Sequence, residues 1–285
     1  MPAEHASTAV LINGQRHAPE QATVSVFDRG FQYGDGVFET LAVVAGQVRD
    51  RDAHLDRLAR GATLLGIPEP DRDALSAEIA QLAAAGEGNA VIKVLYSRGV
   101  GGRGLAPPAE PAPTRVVMRL PWPAHPPDWR ESGVRTMTCR TRQASGAALD
   151  GRIKSMNQLN HIVARMEWRD PAIAEGLLCD EAGRVVEGTV SNLFVVIGGR
   201  LLTPDLSGAG LPGVTRGRVM ALAAERCGGV AEADLTAADL AGAEEVFLTN
   251  SLIGIWPVRE HDGRALAAPG PVTLELQQAL EGSYA

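Results

Sequence analysis

Lysine is scarce in this chain. Only Lys93 and Lys154 occur among 285 residues, and arginine supplies nearly all the remaining positive charge. The distinction matters chemically. A guanidinium keeps its proton in a protein, whereas an amine can lose one, and only the free amine attacks a carbonyl to form a Schiff base. Lys154 stands in Gly151-Arg-Ile-Lys-Ser-Met-Asn-Gln-Leu159, after an expected loop from Ser145 to Gly151, and is the candidate nucleophile. Downstream, Glu187 opens the run Glu-Gly-Thr-Val-Ser-Asn192 and is the candidate acid. Arg57 lies three residues after His54, on the same side of a helix. Leu211-Pro-Gly-Val-Thr-Arg216 leads into a helix, whose N-terminus offers unpaired N–H groups and a positive dipole end suited to a phosphate. Arg98 and Arg103 share a glycine-rich stretch, and their forked guanidinium groups match carboxylates. That stretch contains Gly99, Gly101 and Gly104 in a G-x-G-x-x-G pattern. A dinucleotide site is rejected, because Ala106-Pro107-Pro108 follows where the fingerprint needs a helix.

The elements that must position these residues read as alternating strands and helices. Ala9 to Ile12 is a strand running into an Asn13-Gly14 hairpin turn, and Val24 to Val26 is a second, short strand. Gly30, Gly34 and Gly36 fall close together before a strand from Val37 to Val44. Asp52 to Gly66 is an amphipathic helix with Leu55, Leu58, Ala62 and Leu65 on one face, and Asp71 to Ala85 is another. Val91 to Tyr96 and Arg115 to Leu120 are strands. Pro121 to Pro127 is the most proline-rich window. A first domain over 1–120, a linker over 121–130 and a second domain over 131–285 that carries Lys154 follow from it. In the second domain Gly133 to Cys139 is a strand and Ser155 to Asp170 a helix. Gly176 to Val186 is a hairpin, and Leu193 to Ile197 and Glu245 to Thr249 are strands. The apolar fraction of 45% suits a globular protein, and a net charge of −7 argues against nucleic acid or an anionic membrane as partner. Cys139, Cys179 and Cys227 show neither metal-ligand nor disulfide spacing, and the first residues lack a basic-then-apolar pattern. No metal, no membrane span and a cytoplasmic location are therefore expected.

A lysine, an acid, an arginine and a helix N-terminus are each weak alone. Together they are what a pyridoxal phosphate site requires: an amine for the carbonyl, a carboxylate to keep the pyridine nitrogen protonated, and donors for the phosphate. In order and spacing the chain also resembles the fold-type IV pyridoxal-phosphate enzymes, which include branched-chain aminotransferases, D-amino-acid aminotransferases and aminodeoxychorismate lyases. The resemblance runs from about Val10 to Val258. It rests on Arg29-Gly-Phe-Gln-Tyr-Gly-Asp-Gly-Val-Phe-Glu-Thr40, His54-x-x-Arg57-Leu58, Lys154-x-x-Asn157, Glu187-Gly-x-x-Ser191-Asn192-Leu-Phe, Leu211-x-Gly213-Val-Thr215-Arg216 and the Asn250-Ser251 turn. It implies a mixed α/β fold of two domains with the cofactor between them, and a homodimer. It also implies Lys154 as the Schiff-base lysine and Glu187 as partner of the pyridine nitrogen. Arg57, Val214, Thr215 and Ser251 would hold the phosphate, and Leu211 would pack on the ring.

Within the family, Ser97-Arg98-Gly99-x-Gly101-Gly102-Arg103-Gly104 and Asn250-Ser251 to Val258 look like the lyase pattern. The resemblance then implies conversion of 4-amino-4-deoxychorismate to 4-aminobenzoate and pyruvate, a step toward folate. Lys154 and Thr40 would move protons, and Arg98, Arg103, Phe38 and Asn250 would contact substrate. Leu105 departs from the tyrosine that lyase relatives often carry. The alternative is a D-amino-acid or related aminotransferase, although the Arg-x-His pair typical of the D-amino-acid enzymes is absent at Arg103 and Leu105. A member of the fold that binds ligand without turnover is the remaining alternative, against which Lys154 and Glu187 both speak.

Overall fold

The computed structural model describes residues 9–143 and 153–284, so the expected loop from Ser145 to Gly151 lies outside the described residues. The chain divides into two compact units, one reaching Ala124 and taking in Ile153–Gln158, the other made of His125–Arg152 and Leu159–Ala285. The boundary falls inside the proline-rich window. The Lys154 segment groups with the first unit.

The first unit is built on strands β1 (Ala9–Ile12), β2 (Gln15–His17), β3 (Gly36–Val44), β4 (Gln47–Val48), β5 (Ala90–Ser97) and β6 (Thr114–Pro121). They form an antiparallel sheet in the order β2-β1-β6-β5-β3-β4. Helices α1 (Arg29–Tyr33), α2 (Arg51–Leu64) and α3 (Arg72–Ala83) complete it. Strand period decides which side chains enter the core. Along β3, Val37, Glu39, Leu41 and Val43 are buried, while Phe38 and Thr40 are half-buried on the other face. Of the expected apolar stripe, Leu55, Leu58 and Ala62 of α2 are buried together with His54 and Arg57, whereas Leu65 caps the helix and is half-buried.

Two expected elements differ. Val24 to Val26 is irregular, with both valines exposed, because no strand among the described residues pairs with it. The helix expected from Ser155 to Asp170 is confined to Leu159–Arg165, because the backbone before it pairs with β3 instead. The Phe38 N–H donates to the Lys154 carbonyl (2.9 Å), and the Met156 N–H donates to the Gly36 carbonyl (2.9 Å). Strand β4 pairs only with Val43 and Val44, so the Gly36–Phe38 edge of β3 is left for this segment. Gly36 permits the approach, since a Cβ there would stand 2.7 Å from the Met156 sulfur.

The second unit contains α4 (Trp129–Ser132), β7 (Val134–Arg142), α5 (Leu159–Arg165), β8 (Ile173–Cys179), β9 (Arg184–Gly188), β10 (Asn192–Ile197) and β11 (Arg200–Pro204). It continues with α6 (Val214–Arg226), β12 (Ala231–Ala233), β13 (Leu235–Thr236), α7 (Ala237–Gly242), β14 (Glu245–Asn250), β15 (Gly254–His261), β16 (Arg264–Ala265) and α8 (Pro271–Gly282). Its sheet runs β12-β11-β10-β14-β15-β7-β8-β9-β13, with β16 beside β15. The β11–β12, β15–β7 and β7–β8 pairs are parallel. Alternation along β10 and β14 splits the core into two layers. Phe194, Val196 and Phe247 pack with Val219 and Ala223 of α6 and Leu276 and Leu280 of α8. Leu193, Val195, Val246 and Leu248 pack on the opposite face with Leu240 of α7. No helix among the described residues is long and apolar enough to cross a membrane.

Candidate active site

Lys154 is fixed in the first unit by the backbone pairing just described. Its Nζ lies 4.5 Å from the centroid of the Phe38 ring. Thr40 is on the same face of β3 as Phe38, two residues on. Directly across the sheet from Thr40 is Lys93, whose Nζ lies 5.4 Å from the same ring. Both lysines of the chain therefore flank Phe38. The scarcity that singled out Lys154 applied equally to Lys93, and the sequence reading did not carry it through.

On the buried face of β3, Glu39 is fully enclosed. Its Oε1 accepts from Arg57 Nε (2.7 Å) and its Oε2 from Arg57 Nη2 (2.7 Å), and His54 Nδ1 lies 2.6 Å from Oε2. Burial pushes the Glu39 carboxyl up, but the hydrogen bonds and charges of Arg57 and His54 outweigh it and hold the carboxyl down at about 2. Glu39 thus fixes the plane of the Arg57 guanidinium. Because its folded pKa lies below the ordinary 4.5, its contribution to stability is present above pH 4.5 and is lost as the pH falls toward 2. Glu39→Gln strands the buried Arg57 charge and is expected to cost about 3–5 kcal/mol at pH 7. In thermal melts the gap to the native protein narrows between pH 4.5 and 2. A gap independent of pH would show that the carboxylate charge is not what holds Arg57.

The two loop arginines are in different situations. Arg98 is buried, with Nε and Nη2 on the Asp35 carboxylate (2.8 and 3.0 Å) and Nη1 and Nη2 donating to the carbonyls of Gly66 and Leu65. Burial pushes the Asp35 carboxyl up, and the guanidinium groups of Arg98 and Arg29 bring it below its usual value. Arg29 bonds Asp35 as well and donates to the carbonyls of Gly104, Leu105 and Ala106, which anchors the glycine-rich loop. The Arg98 guanidinium, expected to contact substrate, thus bonds to Asp35 and to two carbonyls of the first unit. Arg103 lies exposed on the anchored loop.

In the second unit Glu187 is the penultimate residue of β9 and is buried. Its Oε2 accepts from the Leu211 N–H (2.9 Å), and His161 Nε2 of α5 lies 3.5 Å from its Oε1. The turn after it wraps around the Glu175 carboxylate. That carboxylate accepts from the Gly176, Thr189 and Val190 N–H groups and from the Thr189 and Ser191 hydroxyls. Burial pushes the Glu175 carboxyl up against those bonds. Gly188 is required here, because a Cβ would collide with the Ser191 hydroxyl. Asn192 ties this turn to the next: its Nδ2 donates to the Leu211 carbonyl (2.8 Å) and its Oδ1 accepts from the Gly213 N–H (3.0 Å). Gly213 is the N-cap of α6 and makes no side-chain cap, so the first-turn N–H groups of Val214 and Thr215 have no intrahelical acceptor. The Thr215 hydroxyl is buried without a hydrogen-bond partner. Asn250 closes its own turn. Its Oδ1 accepts from the Leu252 and Ile253 N–H groups and its Nδ2 donates to the Val190 carbonyl, so this amide orders the turn that carries Ser251.

Residues 36–261 match the amino-transferase class IV family. The chain belongs to that family. It is 36% identical over 273 residues to a putative branched-chain-amino-acid aminotransferase of Methanocaldococcus jannaschii, covering 94% of each chain. It is 36% identical over 239 residues to an aminodeoxychorismate lyase of Vibrio harveyi, covering 84% of this chain and 87% of that one. The crystal structure of 4-amino-4-deoxychorismate lyase from Pseudomonas aeruginosa superposes with a TM-score of 0.88 at 44% identity, over 96% of this chain and 98% of that one. As a class IV enzyme the chain has the fold-type IV architecture and uses pyridoxal phosphate. The residues present suit that cofactor. An open helix N-terminus with an unpaired buried threonine hydroxyl fits a phosphate, and a lysine held by its backbone fits a carbonyl. The roles of Lys93, Glu39, His161 and Glu175 were not read from the sequence. Sheet register brings Lys93 to Thr40, and side-chain contacts between residues distant in sequence bring in the other three.

Proposed function

We propose that this class IV enzyme is a lyase that converts 4-amino-4-deoxychorismate to 4-aminobenzoate and pyruvate, a step toward folate. The observation that carries the reading is the likeness to the Pseudomonas lyase over nearly the whole of both chains. Lys93 beside Phe38 and the exposed Arg103 add physical support, because this substrate bears two carboxylates.

Pyridoxal phosphate, when bound, supplies an electron sink for the charge left after a proton is removed beside the substrate nitrogen. Lys154 holds the cofactor through its amine. With the cofactor bound, the free Lys154 amine would take the proton from the amine-bearing ring carbon of the substrate. Glu187 keeps a proton at the pyridine nitrogen, with the Leu211 N–H and His161 orienting its two oxygens. Arg57, Val214, Thr215 and Ser251 hold the phosphate, with Glu39 fixing the arginine. The carbon–oxygen bond to the enolpyruvyl group then breaks and the ring becomes aromatic. The Thr40 hydroxyl stands across from Lys93, on the Phe38 face, to pass the proton onward. Lys93 and Arg103 take the carboxylates. In this reading the chain works as a homodimer, and the exposed Phe27, Phe31, Val100 and Leu105 are the apolar surface that a second copy covers.

Arg103→Ala is expected to raise the KM for the lyase substrate about 10- to 100-fold with kcat little changed, the effect of one charged hydrogen bond. An unchanged KM removes Arg103 from the substrate site. The function itself is tested by following 4-aminobenzoate fluorescence with aminodeoxychorismate made in situ, beside transamination of D-alanine with 2-oxoglutarate. Rapid 4-aminobenzoate formation supports the lyase. Keto acid from D-alanine without 4-aminobenzoate moves the chain to the aminotransferase branch.

A further inference from the structure

We propose that the hydroxyl of Thr249 is a further hydrogen-bond donor to the cofactor phosphate, which rests on the pyridoxal phosphate reading above. Thr249 is not part of any of the motifs that carry the family resemblance. Four buried side-chain atoms among the described residues lack a hydrogen-bond partner, and two of them are threonine hydroxyls, Thr215 Oγ1 and Thr249 Oγ1. Thr249 is 1% exposed and Thr215 3% exposed. An enclosed hydroxyl that bonds to nothing is costly, and in a native protein it calls for a reason.

The sheet register places Thr249 at the start of α6. Thr249 of β14 is directly opposite Asn192 of β10. Residues opposite each other point to one face of a sheet, as do residues two apart on a strand. Asn192, Phe194, Phe247 and Thr249 therefore share a face. Phe194 and Phe247 on that face pack against Val219 and Ala223 of α6. Asn192 bonds both the Leu211 carbonyl and the Gly213 N–H, so this end of the face lies under the first turn of the helix and not its last. Thr249 also immediately precedes the Asn250-Ser251 turn. The register and the Asn192 bonds thus set Thr249 and the turn that follows it at the end of the sheet where the uncapped helix of 13 residues, with the second unpaired hydroxyl in its first turn, begins. A dianionic phosphate there accepts from the helix N–H groups and gives each orphaned hydroxyl an acceptor. An apolar side chain of threonine's shape would fill the same space without that bond.

The experiment compares Thr249→Val and Thr249→Ser with the native protein, each stripped of cofactor and then titrated with pyridoxal phosphate and, separately, with pyridoxal lacking the phosphate. The native protein must first take up pyridoxal phosphate; if it does not, the pyridoxal phosphate reading falls and this proposal with it. Given uptake, Thr249→Val is expected to raise the dissociation constant for pyridoxal phosphate about tenfold. Its affinity for pyridoxal stays unchanged, and its cofactor-free melting temperature is equal to or above the native value. Thr249→Ser restores native affinity. Native affinity in the valine variant, or equal weakening of both ligands, would overturn the assignment while leaving the cofactor reading intact.

Discussion

Lys154→Ala is expected to lose the cofactor's covalent attachment and to lower kcat by at least about 10³-fold, because the variant lacks both the attaching amine and the base. The backbone of this segment pairs with β3 through main-chain atoms of Lys154 and Met156, so the substitution leaves its seating in place. Loss of activity in a variant that melts like the native protein then reports chemistry and not folding. Lys154→Arg is expected to be equally inactive, since a guanidinium keeps its charge but cannot act as base or nucleophile. Added methylamine is expected to restore part of the proton-transfer rate in the alanine variant. A variant that keeps a tenth of the native kcat would place the chemistry elsewhere.

Glu187→Gln is expected to lower kcat about 10²- to 10³-fold with little change in KM. The carboxylate is proposed to act after binding, by keeping the pyridine nitrogen protonated as negative charge arrives. The geometry makes the substitution specific. Glu187 is buried, one oxygen accepts the Leu211 N–H at 2.9 Å, and the other faces His161 Nε2 at 3.5 Å. A glutamine fills the same volume and keeps its carbonyl oxygen on Leu211, but it carries no charge to hold the proton. The absorbance of the bound cofactor is expected to shift with the lost charge, which separates this effect from simple unfolding. A kcat within twofold of native, with unchanged absorbance, would remove Glu187 from the pyridine nitrogen.

Much of this arrangement is legible in the residues, for local reasons. Asn13-Gly14 turns a hairpin because the pair tolerates positive φ, and both residues have it here. The 3.6-residue spacing of Leu55, Leu58 and Ala62 marks α2 without reference to anything distant. What could not be read depends on partners far along the chain. Ser155 and Met156 continue the helical pattern of Leu159–Arg165, yet a free edge of β3 more than a hundred residues earlier captures them. Arg98 and Arg103 sit in one loop with equal claims on a carboxylate, and only the position of Asp35 decides that Arg98 is occupied. Lys93 joins Lys154 through the Thr40 register, and Thr249 reaches the head of α6 through Asn192. A motif lists residues along one strand, whereas these roles are set across strands.

Lys154 is proposed as the residue that carries the cofactor, and with two lysines in the chain that is simple to test. The purified protein is treated with borohydride to fix any imine, digested, and its lysine peptides are weighed. The account predicts one pyridoxyl group per chain, on the peptide containing Lys154, with the Lys93 peptide unmodified. A pyridoxyl group on Lys93, or bound cofactor that leaves no mark on either lysine, would contradict it.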